Sequence, residues 1–353
     1  MYSCSCLEDQ EDNGKTQGIY ISKVLETTSS MREQCKDKPR RKPLMLPGAR
    51  QVGKTFVQKQ FKDGDVYWPI SIMKVPVILL NYNSSTDCCK CVVDLKRQEG
   101  VELEIIIVDN CSRKEDALAV EKLATEQGCT FIAAAENRGY NAGNNIGLRY
   151  AANKGYEYAL IANPDMEFPQ RDYIVSLVNV MEKKPDVAVC GSNIIGTDNK
   201  RQNPWKFSKW WMDIAFLDYI VIFFNLSPRL MPPSSAYCDI VTGCCLMVRI
   251  CSIRKMGFFD ENVFLYCEEA ILGQMVQRNG EKTYYCHEAF AKHCHIESQK
   301  GKFSKRYKTF WKSRSYYLEH YSGFNKFQLI IIGLSNFAYH WMKLLFYHLK
   351  EAI

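Results

Sequence analysis

Two carboxylates lie where the sequence pattern ends a strand, a position from which a side chain can reach a ligand. Asp109 follows four β-branched residues, and Asp165 closes the triplet Asn163-Pro164-Asp165 after an apolar run. A carboxylate beside bound phosphates is what a divalent cation such as Mg²⁺ or Mn²⁺ needs. Each residue also has a structural interpretation, because Asp109 is a good helix cap and Asn-Pro-Asp is good turn chemistry.

A second kind of chemistry is indicated further along the chain. Glu268 and Glu269 follow an aromatic run and could supply a general base. The alternative is an acidic first turn of the helix predicted over 268–279, which the helix dipole favours. One histidine of His293-Cys294-His295 could complete a metal site. Zinc is not expected, because the cysteine and histidine spacing fits no common zinc pattern.

Glycines recur every four residues between Glu136 and Gly147, at Gly139, Gly143 and Gly147. Glycine lets a ligand approach the backbone closely, and the helix that follows would offer N–H groups to phosphate. Arg138 adds a fork for diphosphate oxygens. The alternative is a tight loop with close packing of helix on sheet. The spacing is not that of the Rossmann dinucleotide pattern.

These residues are positioned by a regular alternation of apolar runs and helical patterns. Strands are predicted over 75–80, 104–108, 129–134, 156–162 and 186–190, and helices over 87–98, 115–127, 143–153 and 172–183. Strands that are apolar on both faces and alternate with helices indicate a mostly parallel sheet covered on both sides. Ligands bind beyond the carboxyl ends of such strands, where Asn81, Asp109, Asn137 and Asp165 all fall.

Composition narrows the class of protein. The 353 residues are 46% hydrophobic and 24% charged, which excludes a disordered, collagen-like or coiled-coil chain. The net charge of +7 and pI of 8.6 suit phosphate ligands or an anionic membrane, but we expect no nucleic-acid partner. The amino terminus lacks the apolar region of a signal peptide, so the sixteen cysteines are expected to be reduced in the cytoplasm.

Residues 1–73 are expected to form a poorly ordered basic leader. Within them, Gly48-Ala49-Arg50-Gln51-Val52-Gly53-Lys54-Thr55 satisfies the Walker A pattern and resembles the start of an AAA-type P-loop ATPase. About 20 residues separate Thr55 from the first predicted strand, too few for the sheet and the second acidic strand that such an ATPase needs. We interpret the motif as a truncated fragment, and an ATP-binding module as the least favoured function.

An ordered string of motifs extends over about two thirds of the chain, from residue 75 to 300. It comprises Leu80-Asn81-Tyr82-Asn83, Ile107-Val108-Asp109-Asn110, Glu136-Asn137-Arg138-Gly139-Tyr140, Ala162-Asn163-Pro164-Asp165, Thr242-Gly243-Cys244-Cys245 and Gly257-Phe258-Phe259-Asp260-Glu261. In order and spacing the string resembles a family 2 glycosyltransferase of the GT-A fold, in the rhamnosyltransferase-like branch. The resemblance implies an α/β domain over 74–300, with a nucleotide-sugar half (74–200) and an acceptor half (201–300).

The resemblance also implies roles for particular residues. Asp165 matches the last position of an Asp-x-Asp-type motif that binds Mg²⁺ or Mn²⁺ with the donor diphosphate, and His295 matches a histidine linked to that metal. Glu269 stands at the position of the catalytic base, where relatives usually carry Asp. Contacts to the nucleotide sugar are implied for Asn81, Asp109, Asn137, Arg138, Gly143 and Asn163.

The implied enzyme is an inverting glycosyltransferase of the hexosyltransferase class. Its donor would be of the dTDP-rhamnose or UDP-hexose type, and its acceptor a glycan or a lipid-linked glycan in cell-surface polysaccharide synthesis. Glu269 and the apolar stretch Ala270-Ile271-Leu272-Gly273 depart from the family pattern. These departures keep open the alternative of a catalytically impaired protein that binds sugar nucleotides.

The carboxy-terminal tail, residues 301–353, is basic and aromatic and is expected to be helical. For 302–322, packing of the aromatic face on the sheet, with Lys and Arg outward, is favoured over an acceptor-side or membrane-surface patch. For 327–349, interfacial attachment and burial are equally open. No run of ~18 apolar residues predicts a spanning helix. We expect a cytoplasmic protein with peripheral contact at the inner face of the plasma membrane.

Overall fold

The computed structural model describes residues 73–215, 217, 230–231, 233–294 and 303–351. The strands are β1 (Lys74–Asn81), β2 (Glu102–Asp109), β3 (Thr130–Ala133), β4 (Tyr158–Ala162), β5 (Met166–Glu167), β6 (Val187–Gly196), β7 (Ala236–Cys238), β8 (Cys245–Arg249) and β9 (Lys282–His293). The helices are α1 (Ser85–Leu95), α2 (Lys114–Gln127), α3 (Tyr140–Asn153), α4 (Tyr173–Lys183), α5 (Ile250–Lys255), α6 (Glu268–Arg278), α7 (Phe303–His320) and α8 (Lys326–Glu351).

The strands form one sheet in the order β3-β2-β1-β4-β8-β6-β9-β5, with β7 beside β9. Strands β1 to β4 run parallel to one another, as the alternating pattern predicted. Strand β8 lies antiparallel between β4 and β6 and was not among the predicted strands. β8 follows β7 in the chain. A short apolar run of this kind does not reveal whether the strand will be parallel or antiparallel to its neighbours.

Both faces of the sheet are covered, and β1 shows why. Its successive side chains point to opposite faces, with Val77 and Leu79 in one buried cluster and Ile78 and Leu80 in another. The first cluster includes buried residues of α1, α2 and α4, and the second includes those of α3, α5 and α6. The prediction of an α/β architecture with helices on both faces is confirmed.

The tail helices form a third cluster with the domain. Ile271 of α6 packs with Val263, with Tyr317 and Leu318 of α7, and with Ile332 of α8. The predicted helical tail is confirmed. The buried residues of α7 pack on α6 and on Val263, where packing on the sheet was predicted. Within the described part of the chain, no helix is both long and apolar enough to cross a membrane. The P-loop-like motif, residues 48–55, lies outside the described residues and stays a sequence-based prediction.

Helix α3 begins at Tyr140, before the predicted start, and this places two of the spaced glycines inside it. A Cβ at Gly143 would lie 2.5 Å from Leu80 Cδ1, and one at Gly147 would lie 2.6 Å from Ile78 Cγ2. Both glycines therefore allow α3 to approach β1 closely.

Replacing Gly147 by Ala is expected to destabilise the protein by about 1–3 kcal/mol. The added methyl group meets a branch point of Ile78 that cannot rotate away, which is a small overpacking of the core. Gly333→Ala is the matched control, since nothing lies within 4 Å of a Cβ there and Ala is the better helix former. Urea denaturation of both variants checks this, and equal stability of the two would contradict it.

Candidate active site

The carboxyl ends of β1 and β2 are joined by a buried polar network. Asn81 Nδ2 donates to Asp109 Oδ1 at 2.8 Å and to Asp116 Oδ1 at 2.9 Å. Asp109 Oδ2 accepts from the backbone N–H of Ser112 at 3.0 Å. The structure thus brings the predicted pair Asn81 and Asp109 together, and their hydrogen bonds fix the two loops that follow the strands.

The loop between β3 and α3 has one side chain that holds it and one that is open to solvent. Asn137 Oδ1 accepts from Asn110 Nδ2 at 3.2 Å and from the N–H of Gly139 at 3.0 Å. Arg138 forms an ion pair with Glu261 at 3.1 Å, while its side chain remains 59% exposed. Asn137 therefore shapes the loop, and the guanidinium of Arg138 is accessible to an anionic ligand.

The same loop touches the segment that precedes α6. Gly139 has φ +103°, and a Cβ there would lie 2.3 Å from the carbonyl oxygen of Phe264. That oxygen accepts from the N–H of Tyr140 at 2.8 Å. Only glycine fits this position, because both the backbone angle and the close approach exclude a side chain.

Asp165 lies beside a histidine at the end of β9. His293 Nε2 is 3.4 Å from Asp165 Oδ2, and His293 Nδ1 is 3.0 Å from Gln202 Oε1. Burial lowers the pKa of His293, but hydrogen bonds with Asp165 and Cys244 outweigh it and raise that pKa to about 10. A carboxylate and a neutral imidazole are donor groups that a divalent cation accepts. A cation bound to His293 would therefore take the place of the proton that the raised pKa keeps on the ring.

The histidine predicted from the sequence, His295, lies outside the described residues. The structure instead places His293 of the same His-Cys-His triplet next to Asp165. The triplet was the signal for a histidine here, whereas the choice of His293 depends on β9 reaching that residue in register with Met166 of β5. That pairing is set by the tertiary structure.

Asn163 ties the end of β4 to the residue before β8. Its N–H donates to the carbonyl oxygen of Cys244 at 2.8 Å, and its own carbonyl oxygen accepts from the N–H of Met166 at 3.2 Å. The turn that carries Asp165 is therefore fixed by its backbone on both sides.

Glu268 and Glu269 open α6 and line a small cavity together with Tyr140, Gly243, Asp260 and Leu272. Glu269 Oε1 accepts from the N–H of Gly243 at 3.2 Å. Tyr140 in turn donates its hydroxyl to the carbonyl oxygen of Gly243 at 2.5 Å. The peptide around Gly243 thus links the start of α3 to the carboxylate of Glu269.

Burial raises the pKa of both carboxyl groups. The pKa of Glu268 is raised to about 8, first by desolvation and then by the neighbouring charge of Glu269. Desolvation also raises the pKa of Glu269, against hydrogen bonds from the backbone. The two preceding residues, Tyr266 and Cys267, have φ of +74° and +63°, conformations that cost energy and cluster at active sites.

One short loop, Thr242–Cys244, contacts both Glu269 and the pair formed by Asp165 and His293. Gly243 contacts Glu269, and Cys244 interacts with His293, the neighbour of Asp165. In the part of the chain that the structure describes, no group of three or more His, Cys, Asp or Glu could hold a metal ion. A cation at Asp165 and His293 would need further ligands, and the phosphate oxygens of a substrate are such ligands.

Comparisons with known proteins identify the class of protein that this chain resembles. Residues 77–238 match the family described as Glycosyl transferase family 2. The chain is 22% identical over 253 residues to the low-salt glycan biosynthesis hexosyltransferase Agl10 of Haloferax volcanii, covering 71% of this chain and 76% of that protein. It is 22% identical over 250 residues to the rhamnosyltransferase WbbL of Escherichia coli K12, covering 68% and 91%. The predicted glycosyltransferase class is confirmed.

Among solved structures, the chain is similar to the crystal structure of GalNAc-T7 with UDP, GalNAc and Mn²⁺. The TM-score is 0.51 at 13% identity, and the match covers 76% of this chain and 55% of that one. The likeness concerns the fold, and it confirms the predicted GT-A architecture. The chain spans just over half the length of that solved chain.

The raised pKa of Glu268 predicts a pH-dependent stability. The folded state holds this proton more tightly than the unfolded state, so the stabilisation is complete below the ordinary pKa and is lost as pH rises through about 8. Thermal midpoints measured from about pH 6 to about pH 9 should therefore fall less in Glu268→Gln than in the wild type. The difference between the two proteins should be a few kcal/mol at most in the free energy of unfolding, because the side chain of Glu268 is partly exposed.

The control for this measurement is Glu121→Gln, which changes an exposed carboxylate of α2. It should follow the wild-type pH profile. Identical profiles for Glu268→Gln and the wild type would contradict the burial of an ionisable pair.

Proposed function

We propose that this chain is an inverting hexosyltransferase. It would move a sugar from a nucleoside diphosphate of the dTDP-rhamnose or UDP-hexose type to a hydroxyl of a glycan or lipid-linked acceptor, in cell-surface polysaccharide synthesis. The observation that carries the proposal is the loop Thr242–Cys244, which contacts a carboxylate of raised pKa on one side and the neighbour of Asp165 on the other. The hexosyl and rhamnosyl activities named for the two relatives support this substrate class.

The donor would lie across the carboxyl ends of β1, β2 and β4. Asn81 and Asp109 would shape the base and ribose pocket from within their hydrogen-bond network, and Asn137 and Gly143 would hold the loop and helix that face the diphosphate. Arg138 is exposed and would bind diphosphate oxygens with its fork. Asn163 would keep the turn of Asp165 in place.

Asp165 and His293 fit a divalent cation such as Mg²⁺ or Mn²⁺, since a carboxylate and an imidazole lie 3.4 Å apart at the predicted metal position. His295 remains a candidate from the sequence. A bound cation supplies neutralisation of the charge that develops on the leaving diphosphate. The support from comparison is indirect, because Mn²⁺ is named for the structure of GalNAc-T7.

Glu269 would act as the general base. Its carboxylate takes the proton of the acceptor hydroxyl while the hydroxyl oxygen attacks the anomeric carbon, and the bond from that carbon to the diphosphate oxygen breaks. A raised pKa suits this role because it brings the proton affinity of the carboxylate closer to neutral pH. The Gly243 N–H, 3.2 Å from Oε1, would hold the carboxylate in its orientation.

A catalytically impaired sugar-nucleotide-binding protein is the second candidate. The departures that favour it are Glu269 and the apolar start of α6. The structure gives Ile271 a packing role, because it is 1% exposed and lies in the cluster formed with the tail. This role accounts for Ile271 without loss of activity. We place the enzyme in the cytoplasm, at the inner face of the plasma membrane.

Asp165→Asn should lose the metal-dependent part of nucleotide binding. UDP, dTDP, GDP, ADP and ATP are compared by thermal shift with and without Mn²⁺ or Mg²⁺, and a ligand at ~100 times its Kd adds ~2.7 kcal/mol of stability. UDP or dTDP with metal should stabilise the wild type and the exposed control Asp198→Asn, but not Asp165→Asn. A metal-dependent shift that survives in Asp165→Asn would show that the metal binds elsewhere.

Glu269→Gln should lower the transfer rate by ~100-fold or more, because it removes the proton acceptor. Nucleotide binding should stay at the wild-type level, since the amide keeps the shape of the side chain. Transfer is measured as nucleoside diphosphate released in the presence of acceptor. A full rate in Glu269→Gln would refute the base assignment, and nucleotide binding without transfer by the wild type would favour the impaired candidate.

A further inference from the structure

Helix α8 presents an apolar face that nothing in the described part of the chain covers. Its large apolar side chains that are more than half exposed are Phe327, Ile330, Leu334, Phe337, Trp341 and Met342. From Phe327 to Trp341 they recur at steps of three and four residues, so they lie along one side of the helix, and Met342 adjoins Trp341. Ile332, on the other side, is 1% exposed and packs on the domain.

The dimensions of this face suit a helix that lies on a membrane. From Phe327 to Met342 the face is about 22 Å long at ~1.5 Å per residue. One side of α8 is apolar and carries Phe and Trp, and the opposite side packs on the protein. In its described residues α8 is not both long and apolar enough to cross a bilayer. Aromatic and aliphatic residues of this kind insert into the boundary between head groups and acyl chains.

The charge of the tail identifies the surface that it would meet. Residues 301–353 contain nine Lys or Arg and two Glu, and the whole chain has a net charge of +7. The tail therefore carries as much excess positive charge as the whole chain, with Lys308 and Lys312 exposed on α7. A second copy of the chain would bring the same charge and be repelled, while an anionic lipid surface attracts it.

The tail also packs directly on the segment that leads into Glu268 and Glu269. Ser313 donates its hydroxyl to the carbonyl oxygen of Leu265 at 2.7 Å, and the rings of Phe310 and Tyr266 meet edge to face at 5.8 Å. Phe264 and Leu265 are themselves 50% and 36% exposed. Two exposed apolar residues thus adjoin the tail and precede the two carboxylates in the chain.

We propose that α8 lies in the interface of an anionic bilayer with its exposed apolar face inserted. In that position α7 holds the segment of Phe264 and Leu265 next to the lipid surface, where the lipid part of a lipid-linked acceptor would be found. The choice of acceptor rests on the proposed function. The membrane attachment stands on the exposed face and on the charge of the tail.

The attachment is tested by sedimentation of the full chain with vesicles of phosphatidylcholine containing about 30% phosphatidylglycerol, and with phosphatidylcholine alone. The wild type should bind the anionic vesicles, with affinity that falls as salt is added. Leu334→Glu/Phe337→Glu should lose at least tenfold in binding. Lys308→Ala and Lys312→Ala should each weaken binding by about fivefold.

The matched control is Val93→Glu/Leu118→Glu, which puts the same two charges on apolar residues of α1 and α2 that are 41% and 54% exposed. It should bind vesicles as the wild type does. Trp341 gives a second readout, because its fluorescence should shift to the blue on binding and the shift should shrink in Trp341→Phe. Equal vesicle binding by Leu334→Glu/Phe337→Glu and the wild type would overturn the proposal, as would a wild-type dimer that this variant dissociates.

Failure of this proposal is distinguishable from failure of the proposed function. Nucleotide binding with metal is measured on the same Leu334→Glu/Phe337→Glu variant without vesicles and should be unchanged, since neither residue belongs to the site. If the wild type binds nucleotide with metal but does not bind vesicles, the membrane attachment alone is overturned. Vesicle binding without any nucleotide binding overturns the transferase and leaves the attachment standing.

Discussion

The contact between the backbones of Gly139 and Phe264 is the constraint on which the rest of the site depends. The N–H of Tyr140 donates to the carbonyl oxygen of Phe264, and the two backbone segments can touch because Gly139 has no side chain. From this contact the hydroxyl of Tyr140 reaches Gly243, whose N–H donates to Glu269. The loop proposed to hold the nucleotide and the carboxylate proposed as base are thus fixed by one glycine.

The sequence predicted the parallel half of the sheet well, because that half is built from local patterns. Strands β1, β2 and β4 have apolar residues on both faces, β1 and β2 end in polar residues, and Asn163 follows β4, so these features are visible along the chain. The antiparallel strand β8 could not be placed in this way. Its direction and its neighbours follow from how the chain returns after β7, which depends on long-range pairing with β4 and β6.

The site was predictable at the level of residue types and less so at the level of contacts. Asp165 lies in the turn between β4 and β5, and Glu269 lies in the first turn of α6. The sequence predicted both placements, and the roles of the two residues stay predictions. The histidine beside Asp165 is His293, since β9 continues to that residue in register with β5. The side chains of Asn81 and Asp109 form hydrogen bonds with each other and with the loops that follow the strands. The spacing of residues along the chain does not reveal these contacts.

The apolar side chain of Ile271 near the start of α6 is explained by the tail. Burying this side chain against Tyr317, Leu318 and Ile332 contributes ~1.5–3 kcal/mol, which a polar residue would forfeit. The same helix begins with Glu268 and Glu269, so the packing that attaches the tail also sets the position of the helix that carries them. The carboxylate of Glu269 is held in its orientation by the N–H of Gly243. In this protein the geometry of the proposed base is therefore tied to α7 and α8, and whatever binds the exposed face of α8 acts on a unit that includes the active site.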